Sequence, residues 1–392
     1  MPKKILAISF VAMLILFCAM SFHAVTDAAS RVIKTVTQGK KPIVEAEVEQ
    51  FAKDQRSAFF RIDDFIDVNG LAHAMMGQRW MNGRVKLDDG RLIQVFGEKD
   101  LSHWHAESIA SLSEVLQERG ISFLYVQAPV GIDPTDRGVP PGIHDFSNQN
   151  MDSLLKALRG AQTPVLDLRE KIKDDGLELY DLFFKTDCHW TPDTGLWAFG
   201  KISQELKVRY GMAVEERIAD PEQYEREVFK GIFLGSDGKR TGKFFAGMDE
   251  MTLLKPKYET ELSQFVQQEG TEESGIERSG TFEEVVFRRK NLEKKNLKRN
   301  PYYAYLGDIY GRGIYRNALA KRPEKILFIS DSFGLVVIPY FALAFQEVHT
   351  IEPRRYVGGT IIDYIDQEKP DCVVMMFFPG TFFDENIFSF GL

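Results

Sequence analysis

A chain of 392 residues with 44% apolar content is long enough for one large domain or two ordinary ones around a genuine core. Its net charge of −8 argues against a nucleic-acid partner, which requires a basic face to meet phosphate. Of the three cysteines only Cys188 and Cys372 lie beyond the N-terminal segment. One disulfide at most can form, so disulfides do not frame this fold, and the two thiols read as small buried hydrophobes.

At the N-terminus, Lys3 and Lys4 precede an apolar run from Ile5 to Phe22, followed by small residues around Ala24–Ala29. The flanks suit a signal peptide, while the length is also that of a spanning helix. Residues 1–28 are therefore expected to be a signal peptide or membrane anchor. Either way the rest of the chain is exported, and the membrane is touched only through this segment. Residues 29–58, polar and rich in Lys, Glu and Gln, read as a stalk, and 59–392 as the folded domain.

From Val68 to Glu98, short apolar pieces broken by glycines suggest small strands and turns. An α/β rhythm then begins. Ser108–Arg119 carries apolar residues at helical spacing with Gly120 behind it, and Ile121–Ala128 reads as a buried strand. Met151–Arg159 is a short helix and Pro164–Leu168 a second strand. From Gly211 to Asn300 the rhythm stops, and this charged region is expected to be an insertion with some β structure. Its basic stretch, Arg288-Arg289-Lys290 and Lys298-Arg299, reads as a solvated face. The rhythm resumes with strand Lys325–Ser330, a helix at about Val336–Gln346, strand Glu347–Ile351, a mostly helical Tyr356–Glu368 and strand Pro370–Phe378. Apolar strands alternating with amphipathic helices imply a mainly parallel sheet covered on both faces. In such sheets, sites form at the carboxyl ends of strands.

Two motifs fall at those ends. Lys185-Thr186-Asp187-Cys188-His189-Trp190-Thr191-Pro192 offers a carboxylate and an imidazole two residues apart, on one side of an extended segment, with Cys188 on the other. Thr191 suits an N-cap and Pro192 the first helical turn, and apolar residues follow at Leu196, Phe199, Ile202 and Leu206. Asp187 and His189 can be a base and its orienter awaiting a nucleophile, or half of a metal site. The second motif, Asp331-Ser332-Phe333-Gly334, sits on a tight strand-to-helix turn. Ser332 would be the nucleophile, Gly334 would permit close backbone approach, and the first helical N–H groups would stabilise an oxyanion. The other histidines with a claim to chemistry, His103 and His105, flank Trp104 but lack companion ligands to complete a metal set. Trp190 reads first as a packing residue and second as a platform for stacking a sugar.

Thr-Asp-Cys-His-Trp-Thr, then Phe233-Leu-Gly-Ser-Asp-Gly238, then Ile-Leu-Phe-Ile-Ser-Asp-Ser-Phe-Gly, then Ile351-Glu-Pro-Arg-Arg-Tyr356, taken in this order, resemble the DHHW family. That family is related to the SGNH-hydrolase-like domains of alginate O-acetylation proteins. The resemblance runs from about Asp63 to the C-terminus. It implies a three-layer α/β/α fold of SGNH-hydrolase-like, flavodoxin-like kind, with an inserted α+β region at about 211–300. It also implies Asp187, His189 and Ser332 as a catalytic triad, and acyl-ester chemistry on cell-surface polysaccharide. Two positions depart from the family's pattern: Cys188 stands where the family has histidine, and Ser330 where glycine is usual before Asp-Ser.

The expected function is thus an exported serine-dependent acyltransferase, presumptively for acetyl groups, or an esterase. The substrate would be a polysaccharide or acetyl ester, and a membrane-bound partner would supply the acyl group. No metal or other cofactor is needed. Arg354, after a strand end, reads first as a surface salt bridge and second as facing the cleft, where it joins Trp190 and Gly334 as a candidate for binding substrate. The alternative is a catalytically inactive domain that binds polysaccharide or scaffolds an envelope assembly through the same cleft.

Overall fold

The computed structural model describes residues 62–392, apart from 102–104, 134–137, 268–273, 294–298, 385–386 and 392. The N-terminal apolar run, the stalk and His103 lie outside the described residues. Among the described residues, no helix is long and apolar enough to cross a membrane.

The chain begins with helix α1 (Ile62–Met75) and a small antiparallel sheet of β1 (Trp80–Met81), β2 (Arg84–Lys86) and β3 (Leu92–Ile93). The α/β rhythm follows as α2 (Glu107–Glu118), β4 (Ser122–Gln127), α3 (Ser147–Gly160), β5 (Val165–Asp167), α4 (Leu168–Asp174) and α5 (Pro192–Tyr210). Next come β6 (Tyr224–Phe233), α6 (Ser236–Thr241), α7 (Lys243–Ala246), β7 (Asp249–Pro256), β8 (Leu262–Gln267), β9 (Gly275–Gly280) and α8 (Phe282–Val286). The C-terminal third supplies β10 (Arg312–Asn317), β11 (Arg322–Ser330), α9 (Ile338–Ala344), β12 (Phe345–Ile351), α10 (Ile361–Glu368) and β13 (Cys372–Phe377).

The central sheet has the order β5-β4-β13-β11-β12-β10-β8-β9. From β5 to β12 every pairing is parallel, and β10, β8 and β9 extend that edge antiparallel. This is the mixed α/β architecture with a mainly parallel sheet that the pattern implies. Alternate residues of β11 serve opposite layers. Ile326 and Phe328 face a core shared with α5 and α9, including Phe199 and Phe341, while Leu327 and Ile329 face one shared with α2, α3 and α10. Every one of these β11 residues is inaccessible to solvent, which is why strands of this kind read as continuous apolar runs.

Several local readings change. Val68–Met75 is the second half of α1, not a strand. Gly70 costs a helix about 1 kcal/mol, but α1 docks on α6 and α7, and Asp67 there accepts the Lys243 N–H at 2.7 Å. The helix expected from Tyr356 starts only at Ile361, because Gly358 and Gly359 take φ values of 142° and 93° and Thr360 forms the capping box. The helix expected over Val336–Gln346 is Ile338–Ala344, preceded by a 3₁₀ turn at Ser332–Val336. Within 211–300, β6 and β7 form a separate ribbon, whereas β8 and β9 join the main sheet through β10. Arg288 does not belong to a solvated face: it is 6% exposed and donates to the Val285 carbonyl at 2.8 Å and to Gln264 Oε1 at 2.6 Å. Arg289 and Lys290 are exposed, and Arg289 bridges Glu227 and Glu283. Cys188 and Cys372 are both free thiols.

Phe341 in α9 is inaccessible and packs against Phe199, Phe328 and Phe345. Phe341→Ala should therefore lower the unfolding free energy by about 3–5 kcal/mol, measured by urea denaturation. A loss below 1 kcal/mol would contradict this packing.

Candidate active site

The Asp187/His189 loop is clamped at both ends. Phe183 and Trp190 form an antiparallel bridge, the Phe184 N–H donates to the His189 carbonyl at 3.2 Å, and the Thr191 N–H donates to the Leu182 carbonyl at 2.9 Å. Thr191 caps α5, its side chain accepting from the Thr194 N–H, with Pro192 in the first turn. At the loop's centre, Asp249 accepts from both the N–H and the hydroxyl of Thr186, at 2.8 and 2.7 Å.

Inside this clamp the Asp187 carboxylate is 2% exposed. One oxygen accepts the His189 backbone N–H at 3.0 Å and meets the His189 Nδ1 ring nitrogen. The other accepts the Ser236 N–H at 2.6 Å. Gly235 makes this approach feasible, since a Cβ there would lie 2.3 Å from Asp187 Cβ. The opposite ring nitrogen of His189, Nε2, lies 2.6 Å from Ser332 Oγ. Tyr302 stacks on the imidazole, ring centroids 4.1 Å apart and planes 25° from parallel. Asp187, His189 and Ser332 thus form one continuous chain of hydrogen-bonding groups at the carboxyl end of the sheet, with Ser332 partly open to solvent.

Burial alone would raise the Asp187 carboxyl. Its His189 partner and the Ser236 N–H outweigh burial and hold it at about 2. Burial likewise pushes His189 down, but the Cys188 sulfur and the Asp187 carboxylate beside it lift it well above the ordinary imidazole value. Burial also raises the Cys188 thiol, so Asp187 is the lasting negative charge in this group. Donor atoms of Asp187, Cys188 and His189 lie within 4.8 Å of one another, close enough for a metal. Yet both His189 nitrogens are already engaged by protein groups, which suits proton transfer better than ligation. A second cluster, Glu347, His349 and Glu368, surrounds the Lys325 ammonium at 2.9 and 3.1 Å from the two carboxylates, so a cation already occupies its centre.

The nucleophile turn is braced by Asp331. One of its oxygens accepts the Phe333 N–H at 3.0 Å, and the other takes the Phe378 N–H at 2.8 Å and the Thr381 hydroxyl at 2.7 Å. The Gly334 N–H donates to the Asp331 carbonyl at 3.1 Å. Two amides expected to face an oxyanion are therefore spent within the turn. The Ser332 N–H is the one of the three that donates to no group among the described residues. Gly334 itself packs: a Cβ there would lie 2.5 Å from Ser330 Oγ, so it serves the turn rather than a substrate.

For Trp190 and Arg354 the first readings, packing and a salt bridge, are what the structure shows. Trp190 is wholly buried and its indole N–H donates to the Phe333 carbonyl at 3.1 Å, so no sugar can stack on it. The Arg354 Nε donates to the buried Glu352 carboxylate at 2.6 Å, leaving the rest of a guanidinium side chain that is 41% exposed at the strand end. His105 is inaccessible, with Nε2 2.8 Å from the Phe382 carbonyl and its ring edge-on to Phe388, which makes it a core residue. Sequence reasoning assigned no role to Ser236, Asp249, Asp331 or Tyr302. Of these, Ser236 and Asp331 carried a signal, since they lie in the Phe233–Gly238 and Asp331–Gly334 motifs.

A family model described as the SGNH hydrolase-like domain of acetyltransferase AlgX matches residues 91–233, which include Asp187 and His189 but not Ser332. No curated protein matches the chain in sequence. Among solved structures, PatB1 of Bacillus cereus aligns at a TM-score of 0.63 and 20% identity, covering 77% of this chain and 98% of that one. Its sulfonyl adduct aligns at 0.63 and 19%, covering 78% and 98%. A DHHW family protein from Eubacterium siraeum aligns at 0.58 and 17%, covering 79% and 94%. The fold is thus SGNH-hydrolase-like, and the relation inferred from the motifs is the one these comparisons return.

A base works only when neutral, and a raised His189 stays protonated to higher pH. The acid limb of any His189-dependent turnover should therefore lie above pH 6.5, with activity lost as pH falls through it. Asp187→Asn removes the charge that raises His189, so the limb should move down and turnover fall by about 10³–10⁴-fold. A pH–rate profile unchanged by this substitution would refute the coupling.

Proposed function

We propose that this protein is an exported serine acyltransferase or esterase that moves acetyl groups on cell-surface polysaccharide. The observation that carries this reading is the 2.6 Å approach of His189 Nε2 to Ser332 Oγ, backed by Asp187 on Nδ1. A serine hydroxyl is a weak nucleophile until a base takes its proton and a third group fixes the base's tautomer. Those three roles fall to Ser332, His189 and Asp187. Ser332 Oγ attacks the ester carbonyl carbon while its proton passes to His189 Nε2. Asp187 stabilises the imidazolium, and the free Ser332 N–H meets the developing oxyanion. The leaving alkoxide takes the proton back from Nε2, giving acetyl-Ser332. A sugar hydroxyl or water then gives its proton to His189 and attacks the acetyl carbon, and Ser332 Oγ leaves with the proton returned from Nε2. Export rests on the apolar N-terminal run. Because the catalytic domain would then lie outside the cytoplasm, a membrane-bound partner would have to deliver the acetyl donor.

The spent Phe333 and Gly334 amides favour a second reading, a domain that binds polysaccharide without turning it over. A serine-directed fluorophosphonate separates the two. On the catalytic reading it labels the wild-type protein at Ser332, and Ser332→Ala abolishes labelling and lowers acetyl-ester turnover by at least about a thousandfold. Wild-type protein that resists the probe, or a Ser332→Ala variant with undiminished turnover, would defeat the assignment.

A further inference from the structure

The face of the His189 ring is covered by a residue that the triad chemistry leaves without a role. Tyr302 is inaccessible to solvent, and its ring centroid lies 4.1 Å from that of the imidazole, with the planes 25° from parallel. The inserted region and the residues just after it carry Tyr302 there. Asn300 caps the 3₁₀ turn Pro301–Ala304, its side chain accepting the Tyr302 N–H at 3.1 Å. The turn is tied back to α8 and the residues beyond it. The Arg288 N–H donates to the Ala304 carbonyl and the Leu306 N–H to the Val286 carbonyl, both at 2.8 Å. The Asn291 side chain donates to the Tyr303 carbonyl, also at 2.8 Å. Phe184, at the start of the acid–base loop, meets the Tyr302 ring edge-on, with 90° between the planes. The ring is therefore held by two separate segments of the chain.

The hydroxyl adds little to this placement. It lies beside the Trp190 indole, whose N–H is already donated to the Phe333 carbonyl, and it makes no hydrogen bond among the described residues. A buried hydroxyl without a partner lowers stability, so what the site draws on is the ring. Burial also holds the phenol well above its ordinary value, and Tyr302 stays neutral. The face of an aromatic ring is negative and attracts a cation within about 6 Å, most strongly where water is excluded. On taking the Ser332 proton, His189 becomes such a cation at a distance already set. Asp187 and Cys188 face His189 from its own loop. The Asp237, Asp249 and Asp331 carboxylates and the Lys239 ammonium lie around the same cluster. A change confined to the Tyr302 ring leaves every one of these groups in place.

We propose that Tyr302 is a positioning residue for His189: its ring sets the plane in which Nε2 meets Ser332 and stabilises the imidazolium over the neutral imidazole. The inference rests on proton transfer between Ser332 and His189, but its test reads His189 directly. The His189 titration would be followed by NMR of ring-labelled histidine, its signal identified by its loss in His189→Gln. Tyr302→Phe, which keeps the ring and drops the hydroxyl, should titrate with the wild type. Progressive fluorination of that phenylalanine keeps its shape while withdrawing electrons from its face, and should lower the midpoint stepwise, by about one unit in all. Tyr302→Leu should lower it by a similar amount. It should also reduce kcat for an acetyl ester at least about tenfold with KM held, since a buried ring touches no substrate. The thermal midpoint reports whether Tyr302→Leu is folded, and the fluorinated series decides the matter if it is not. A titration indifferent to fluorination, or a folded Tyr302→Leu variant that titrates as the wild type does, overturns the proposal. Fluorophosphonate labelling of the wild-type protein reads the Ser332 assignment separately, so either idea can fail while the other stands.

Discussion

A buried carboxylate is the constraint from which the site follows. Asp187 has almost no contact with solvent, and an unpaired charge there would cost several kcal/mol. Its environment supplies the His189 ring, the His189 N–H and the Ser236 N–H. To deliver the last of these, the Gly235–Gly238 segment must lie directly on the loop. The Gly235 N–H donates to Thr186 Oγ1 at 2.8 Å, and the Gly238 N–H to the Thr186 carbonyl at 2.9 Å. Asp237 in the same segment pairs with Arg84 of β2, so even the small N-terminal sheet is tied to this arrangement.

Ser332 is positioned from the other side. Trp190 sits immediately after His189, and its indole donates to the Phe333 carbonyl, which ties the His189 loop to the Ser332 turn across 143 positions of sequence. Phe333 stacks on Phe378 with centroids 5.1 Å apart, and Asp331 fastens the same turn to Phe378 and Thr381 beyond β13. Ser332 is thus gripped between the α5 approach loop and the end of the neighbouring strand. The 2.6 Å contact with His189 is already made in this structure, the preorganisation that the proposed proton transfer calls for.

How much of this was legible depended on whether a feature is local. The strands β4, β11 and β13 and the helix α5 stood out because continuous apolar runs and a Thr-Pro start carry their own signal, and their observed bounds lie within a few residues of those read. Asp187, His189 and Ser332 stood out because each lies at a strand end or helix start with a local pattern, and the structure brings the three into hydrogen-bond contact. Some misreadings are local, as in the late start of α10 after Gly358 and Gly359, and others are tertiary overrides. Gly70 looks like a breaker until α1 is seen docking on α6 and α7. Arg288 looks solvated until the Gln264 side chain and two carbonyls are brought around it. Trp190 keeps its first reading as a packing residue, and its second, as a sugar platform, falls because the ring is buried with its N–H on the Phe333 carbonyl. Asp249 and Tyr302 had no local signal, since their partners lie in other segments of the chain.

The sequence by itself determined the α/β layering, the parallel core of the sheet and which residue types stand at its carboxyl edge, because those follow from period, propensity and chain order. Only the tertiary structure decided the register between distant segments: that Ser236 completes the Asp187 site, that two of the Ser332 turn's amides are already taken, and that Tyr302 lies against the His189 ring. The physical reason is that hydrogen bonds and buried charges are satisfied by whichever group arrives in space, and one sequence read along its length does not encode that arrival in any local pattern.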